Sequence, residues 1–431
     1  MKHIKDYPKK TRPIRVLQFG GGVFLRGFFD WMLQKANDAG VYDGAVVIVR
    51  SRTHGADPLA AQNFNYTHIA RDGANTDVTV VDSIAGSIDA AGDYAAFLRL
   101  AEIPTLETVV SNTTEAGIVY ENCPRPTEAC PESFPAKLTA LLYRRFVIGG
   151  TGLLILPCEL IERNGDVLRD TVLRHAADWG LGEEFAAWIA NVCSFRNTLV
   201  DRIVSGAPAE NDAMVLDYED SMINTSEYFH LFVIEGQEDA RLPFVRIGLN
   251  VKWVESVEDW RTVKVRILNG AHTSMIPYAM LLGIETVGDC QRDERTREHL
   301  NGCLREILTS MDGDEAENRA YAAQVLTRFA NPHIHHLCAA ISLNSVSKFR
   351  VRVLPSILAY REKTGESPRH LLFALGMLIR FYREGTPNDS ASVIETFRSH
   401  TVPELLANTD IWGVSLTEYA EEVARYANTS I

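Results

Sequence analysis

The sequence predicts an α/β protein, with a doubly wound, mostly parallel sheet over residues 1–255 and a mostly α-helical domain over residues 256–431. Three observations carry this expectation. Short β-branched runs alternate with helical periodicity in the first half, which is the pattern of a parallel sheet wrapped by helices. From about Trp260 the strand signal fades and amphipathic helices follow one another. At 431 residues, 46% of them hydrophobic and 23% charged, the chain is long enough to build two domains with a core each.

In chain order, residues 15–19 read as a strand, 23–39 as a helix and 45–49 as a second strand; 106–110 and 153–156 read as further buried strands. Between them, 94–101 and 135–146 have helical spacing, and 66–70 with 78–82 form a hairpin around Asp72-Gly73. The last strand of the first domain falls within 245–254, which puts the boundary near Ser256. Beyond it, 263–282, 292–309, 316–329, 334–342, 369–383 and 416–426 read as helices. Gly, Pro and Asn mark the loops at 364–368 and 384–389. The chain shows no internal repeat.

Charge and cysteine content narrow the function classes. With 43 basic and 56 acidic side chains the net charge is −13, so the excess of Lys and Arg needed to track nucleic-acid phosphates is missing. No apolar run approaches the roughly 20 residues that span a bilayer. The basic N-terminus has no apolar segment behind it that would act as a secretory signal. Seven cysteines, an odd number without CxxC spacing, fit a reducing compartment. The expectation is a cytoplasmic protein with no disulfide framework and no cysteine zinc site.

The strand at 15–19 runs into Gly20-Gly21-Gly22 and then a helical pattern. Such a turn lets backbone N–H groups approach a pyrophosphate. Gly20 and Gly22 fill the first two positions of GxGxxG, while Leu25 holds the third. On spacing alone the segment is a dinucleotide loop or a plain tight turn. The acidic residue that usually ends the second strand is absent, and Arg50-Ser51-Arg52 stands there, either near a 2′-phosphate as in NADP or as solvated charge. Ser111-Asn112-Thr113-Thr114-Glu115-Ala116-Gly117 follows another strand, at a ligand-binding edge or in a capping turn.

Lys264, Asn269 and His272 fall within an arc of about 140° on an α-helix and share it with Leu268 and Met275. This mixture suits a cleft wall. A lysine beside a carbonyl serves as general acid and base when desolvation lowers its pKa, and an asparagine donates to a developing alkoxide. Taken alone, a surface lysine and a packed histidine are the commoner reading. His333-Ile334-His335-His336 lacks a metal-binding pattern and reads as a cap or loop after Asn331-Pro332.

Several segments together resemble the polyol-specific long-chain dehydrogenases, the mannitol dehydrogenase family, from about Arg15 to Arg383. They are Gly20-Gly21-Gly22-Val23-Phe24-Leu25-Arg26, Thr114-Glu115-Ala116-Gly117, Val200-Asp201-Arg202-Ile203, Lys264 with Asn269 and His272, and Arg328-Phe329-Ala330-Asn331-Pro332. The resemblance implies a Rossmann-like NAD-binding domain and a helical catalytic domain. It also implies metal-independent hydride transfer between a nicotinamide and a sugar-derived alcohol, with Lys264 as acid/base and Asn269 and His272 orienting the oxygen. Cofactor contacts are implied for Phe19, Gly20, Gly21, Gly22, Val23, Phe24, Arg50, Thr113, Thr114 and Glu115, and substrate contacts for Asn197, Asp201 and Lys348. The family favours NAD; Arg50 and Arg52 keep NADP open.

Two departures point to a small sugar-acid substrate. Leu160 replaces the asparagine of polyol-oxidising members after Cys158-Glu159, with Asn164 or Asn197 as substitute donors. Ala340 replaces their substrate-binding arginine. Both changes resemble uronate-reducing members, and a uronate carboxylate then falls to at least one of Lys348, Arg350 and Arg352. Oligomeric state is left open.

Overall fold

The apolar run before the glycines forms a strand, β1 (Ile14–Phe19), in the middle of a six-stranded sheet. In the computed structural model, which describes residues 2–50, 57–113, 115–208 and 216–430, the other strands of this sheet are β2 (Ala45–Arg50), β3 (Ile84–Asp89), β4 (Thr108–Ser111), β5 (Leu154–Pro157) and β6 (Ser194–Phe195). They lie in the order β3-β2-β1-β4-β5-β6, and every neighbouring pair is parallel. This is the Rossmann order, which reverses direction between β1 and β4 and opens a crevice at the carboxyl ends of those strands.

Side chains of β1 alternate between two cores, as the period of two requires. Leu17 and Phe19 pack with Phe97, Leu138, Leu141 and Leu168 from the helices Tyr94–Arg99, Phe134–Val147 and Asn164–Asp178. Val16 packs on the other face with Phe28, Phe29, Met32, Phe232 and Phe244. That face is covered by the helix Phe29–Asp38 together with smaller sheets. One contains the expected hairpin, Tyr66–Arg71 against Thr76–Val81, with the Asp72 carboxylate accepting the N–H groups of Ala74 and Asn75 in the turn.

The helix expected over 23–39 is broken into Val23–Arg26 and Phe29–Asp38. Two carbonyls that would continue it are taken by side chains: Tyr66 Oη donates to Arg26 O and Arg202 Nη1 to Gly27 O, both at 2.8 Å. Gly27 is pressed so closely on its neighbours that a Cβ there would lie 2.8 Å from Val204 Cγ1 and 2.9 Å from His68 Cε1. The close packing expected of a third glycine is supplied by Gly27 rather than at Leu25.

The chain divides into two units, Met1–Val257 and Glu258–Ile431. The second is helical. Its core joins Met275 and Ile276 of Gly270–Leu281, Leu300, Leu304 and Ile307 of Glu294–Ser310, and Leu371, Leu375 and Leu378 of Arg369–Glu384. The helix expected over 334–342 shrinks to Cys338–Ile341. Its first half is extended instead, because Thr286 and Leu337 form an antiparallel bridge, with Val287 N–H donating to His336 O and Cys338 N–H to Glu285 O. No helix among the described residues is long and apolar enough to cross a membrane.

Candidate active site

The turn after β1 is built for glycine. Gly20 has φ +107°, and a Cβ there would meet the Asn112 carbonyl oxygen at 2.8 Å. A side chain is excluded both by backbone conformation and by space. Gly21 is tight against Ile48 Cγ2, at 3.3 Å from a Cβ, whereas a Cβ on Gly22 would have nothing within 4 Å. The backbone at Gly22 is therefore uncovered, just before the short helix Val23–Arg26. Beneath the loop, Gln18 Nε2 donates to Gly20 O at 3.0 Å and to Asp30 Oδ2 at 3.2 Å. Burial pushes the Asp30 carboxyl up to about 7, against the stabilising Gln18 hydrogen bond and the Arg26 charge.

At the carboxyl ends of β1, β2 and β4 lies a cavity of about 350 Å³, lined among others by Phe19, Gly20, Val49, Arg50, Thr113, Gly117 and Lys137. Four of the residues expected at the cofactor thus share one wall. Gly21, Gly22, Val23 and Phe24 continue the chain from it, with Val23 exposed and Phe24 stacked on Phe28 at 5.0 Å. Arg50 lies 3.9 Å from Asp89 Oδ2, its register partner at the end of β3. An acid absent from the end of β2 is present one strand over. Thr114 and Arg52 lie outside the described residues, and Glu115 opens a 3₁₀ turn, Glu115–Ile118.

Thr113 is held by Glu159, which the sequence analysis names only as the neighbour of the Leu160 departure. The buried Glu159 carboxylate accepts Thr113 N–H at 2.9 Å, Thr113 Oγ1 at 3.0 Å and Ser111 Oγ at 3.0 Å. Burial raises its pKa and these donors hold it down. The available signal was an acid two residues after a wholly apolar strand.

Lys264, Asn269 and His272 lie on one continuous helical run, but its first part is not α. Lys264–Asn269 is a π-helical turn, inserted between the helices Glu258–Val263 and Gly270–Leu281. Residues five apart in an α-helix are about 140° apart around the axis. In a π turn the i→i+5 hydrogen bond winds the chain less per residue and brings them closer around it. The expected broad arc narrows, and Lys264 and Asn269 share a face. Arg266 pins the turn by donating to Ser356 Oγ at 2.6 Å and to Ser310 Oγ at 2.8 Å. Gly270 admits the Arg352 carbonyl, 3.2 Å from where a Cβ would stand.

Lys264 and Asn269 are half-buried, and His272 is buried. The His272 ring stacks on Phe329 at 4.1 Å and meets His336 edge-on at 5.1 Å. Burial, and then the Arg328 charge, lower the His336 pKa and keep that ring neutral. The Arg328-Phe329 segment named by the resemblance therefore serves as a wall for His272.

Other expected contacts are committed to the fold. Asn197 Nδ2 donates to Asp166 Oδ2 and Glu235 Oε1, both at 3.0 Å, and its Oδ1 accepts Asp166 N–H. Asn164 Nδ2 faces the carbonyls of Pro157, Glu159 and Thr198. Neither has a spare donor for the oxyanion role opened by Leu160. Asp201 is buried at the end of the strand Thr198–Asp201. Lys348 is half-buried on the helix Ser345–Arg352 and donates to Ile341 O at 2.9 Å.

Comparison with known proteins agrees with this layout. Family models described as the mannitol dehydrogenase Rossmann domain and the mannitol dehydrogenase C-terminal domain match residues 14–244 and 256–431. The altronate oxidoreductase of Halalkalibacterium halodurans is 38% identical, over 98% of this chain and 91% of that protein. The altronate oxidoreductase of Pectobacterium atrosepticum is 42% identical, over 88% and 81%. Among solved structures, a D-sorbitol dehydrogenase in substrate-free form shares the fold with a TM-score of 0.82 at 22% identity, covering 97% of this chain and 93% of that one. By both its domains and its relatives, this chain belongs to the mannitol dehydrogenase family.

Proposed function

We propose that the protein is a cytoplasmic, metal-independent oxidoreductase that reduces D-tagaturonate to D-altronate with NADH, reversibly. The observation that carries this reading is similarity along nearly the whole chain to altronate oxidoreductases. The cofactor assignment draws support from the φ +107° at Gly20, the uncovered backbone at Gly22 and the cavity at the sheet's switch point, a combination that suits a pyrophosphate.

When bound, the nicotinamide supplies the hydride that the ketone carbon gains. Lys264 donates the proton that the ketone oxygen gains, so the product is a secondary alcohol. Asn269 donates a hydrogen bond to that oxygen from the same face of the π turn. His272, fixed between Phe329 and His336, orients it. Proton transfer by a placed side chain is worth about 10²–10⁴ in rate. In the reverse direction Lys264 takes the proton back as base.

The test is NADH absorbance with purified protein offered D-tagaturonate, D-fructuronate, fructose and other ketoses. D-Tagaturonate should give the highest kcat/KM. Preference for fructuronate would move the substrate to the mannonate series. NADH binding without turnover of any ketose would instead mark a sensor.

A further inference from the structure

The helix Ser345–Arg352 packs against both the π turn and the helix Gly270–Leu281, and it carries three cations. They are not equivalent. Arg350 is exposed and turned to the end of another helix, where it donates to the carbonyls of Asp410 and Ile411 at 3.1 and 3.4 Å. Lys348 and Arg352 stand four residues apart, on one face, and both are half-buried. Lys348 is tied to the Ile341 carbonyl. The hydrogen bond of Arg352 among the described residues is a long one, 3.5 Å to Thr273 Oγ1, on the residue next to His272.

Neither Lys348 nor Arg352 has an acidic partner among the described residues. Like charges at this spacing repel, and partial burial sharpens the cost. Both effects are visible at Lys348, whose pKa is lowered by burial first and by Arg352 second. Burial alone lowers that of Arg352. A desolvated guanidinium without a carboxylate, beside the turn that carries the acid/base lysine, calls for an anion from outside. A planar fork of donors fits a carboxylate with two parallel hydrogen bonds.

We propose that the Arg352 guanidinium binds the carboxylate of the keto-acid substrate and so sets the preference for sugar acids over neutral ketoses. The inference rests on the functional reading above. It replaces a choice among three cations with one, and leaves Lys348 as its neighbour on the same face.

The experiment compares the parent with Arg352→Met and Arg352→Lys by steady-state kinetics, on a keto-uronate and on a neutral ketose. Arg352→Met should raise KM for the keto-acid by about tenfold or more, the scale of a lost charged hydrogen bond, with a smaller change in kcat. The ratio of kcat/KM for the keto-acid to that for the ketose should fall in step, and Arg352→Lys should lie in between. Added methylguanidinium should recover part of the loss in Arg352→Ala. Equal losses on both substrates, or a fall in kcat with KM unchanged, would overturn the assignment. A parent that reduces no keto-acid refutes the functional reading instead, so the two failures are separable. Circular dichroism identifies a variant that has not folded, in which case Arg352→Lys and Arg352→Gln carry the comparison.

Discussion

Gly22 and Asp89 stand at either end of the same cofactor question. Because a Cβ at Gly22 meets nothing within 4 Å, valine there should fold normally and yet cover the backbone that, in the proposed function, would face the phosphates. NADH affinity of Gly22→Val, read by fluorescence titration, should fall by about tenfold or more, the equivalent of at least 1.4 kcal/mol; unchanged binding would remove this turn from the cofactor site. Asp89 lies beside Arg50 and sets the charge of that corner. Asp89→Asn should raise the NADPH-to-NADH ratio of kcat/KM, by about tenfold. A ratio that stays fixed would mean that Arg50 does not face the ribose. Lys264, Asn269 and His272 are singled out by the family resemblance, since their spacing taken alone favours a surface lysine and a packed histidine. Glu159 is not, since its role depends on Thr113 and Ser111, which lie far from it in the chain and are brought close only by the pairing of β4 with β5.

At the scale of elements, periodicity finds helices but not their irregularities. The break at Gly27 depends on Tyr66 and Arg202, which approach from other segments, and the π turn depends on Ser310 and Ser356 receiving Arg266. The strand Asn224–Glu227 is hidden for a related reason: all four residues are polar and buried, so no alternation marks it. Asn224 and Thr225 find their partners in the Val23 and Gly206 carbonyls.

For the whole molecule, the parallel sheet of the first half and the helices of the second are readable from hydrophobic periodicity; the strand order is not, nor are the polar groups sealed between layers. Asp30 is one of them, and it couples stability to pH. Its folded pKa of about 7 lies above the ordinary 3.8, so the native state holds the proton more tightly. The stability this provides is complete below about pH 4 and is lost as pH rises through 7. Buried His230 and His299, both held near 4, act in the opposite sense, but they cancel in a comparison with Asp30→Asn. The variant should gain stability relative to the parent between pH 4 and 8, by about 4 kcal/mol at most, at roughly 1.4 kcal/mol per pKa unit. Denaturant melts at both ends of that range check it. The proposed reduction stands on Lys264 as the proton donor. Its most direct test is kcat of Lys264→Ala with NADH and D-tagaturonate, alongside NADH affinity. The expected result is a loss of about 10² or more in kcat with cofactor binding intact. A variant that kept more than about a tenth of the parental kcat, against that expectation, would contradict it and return the proton to His272.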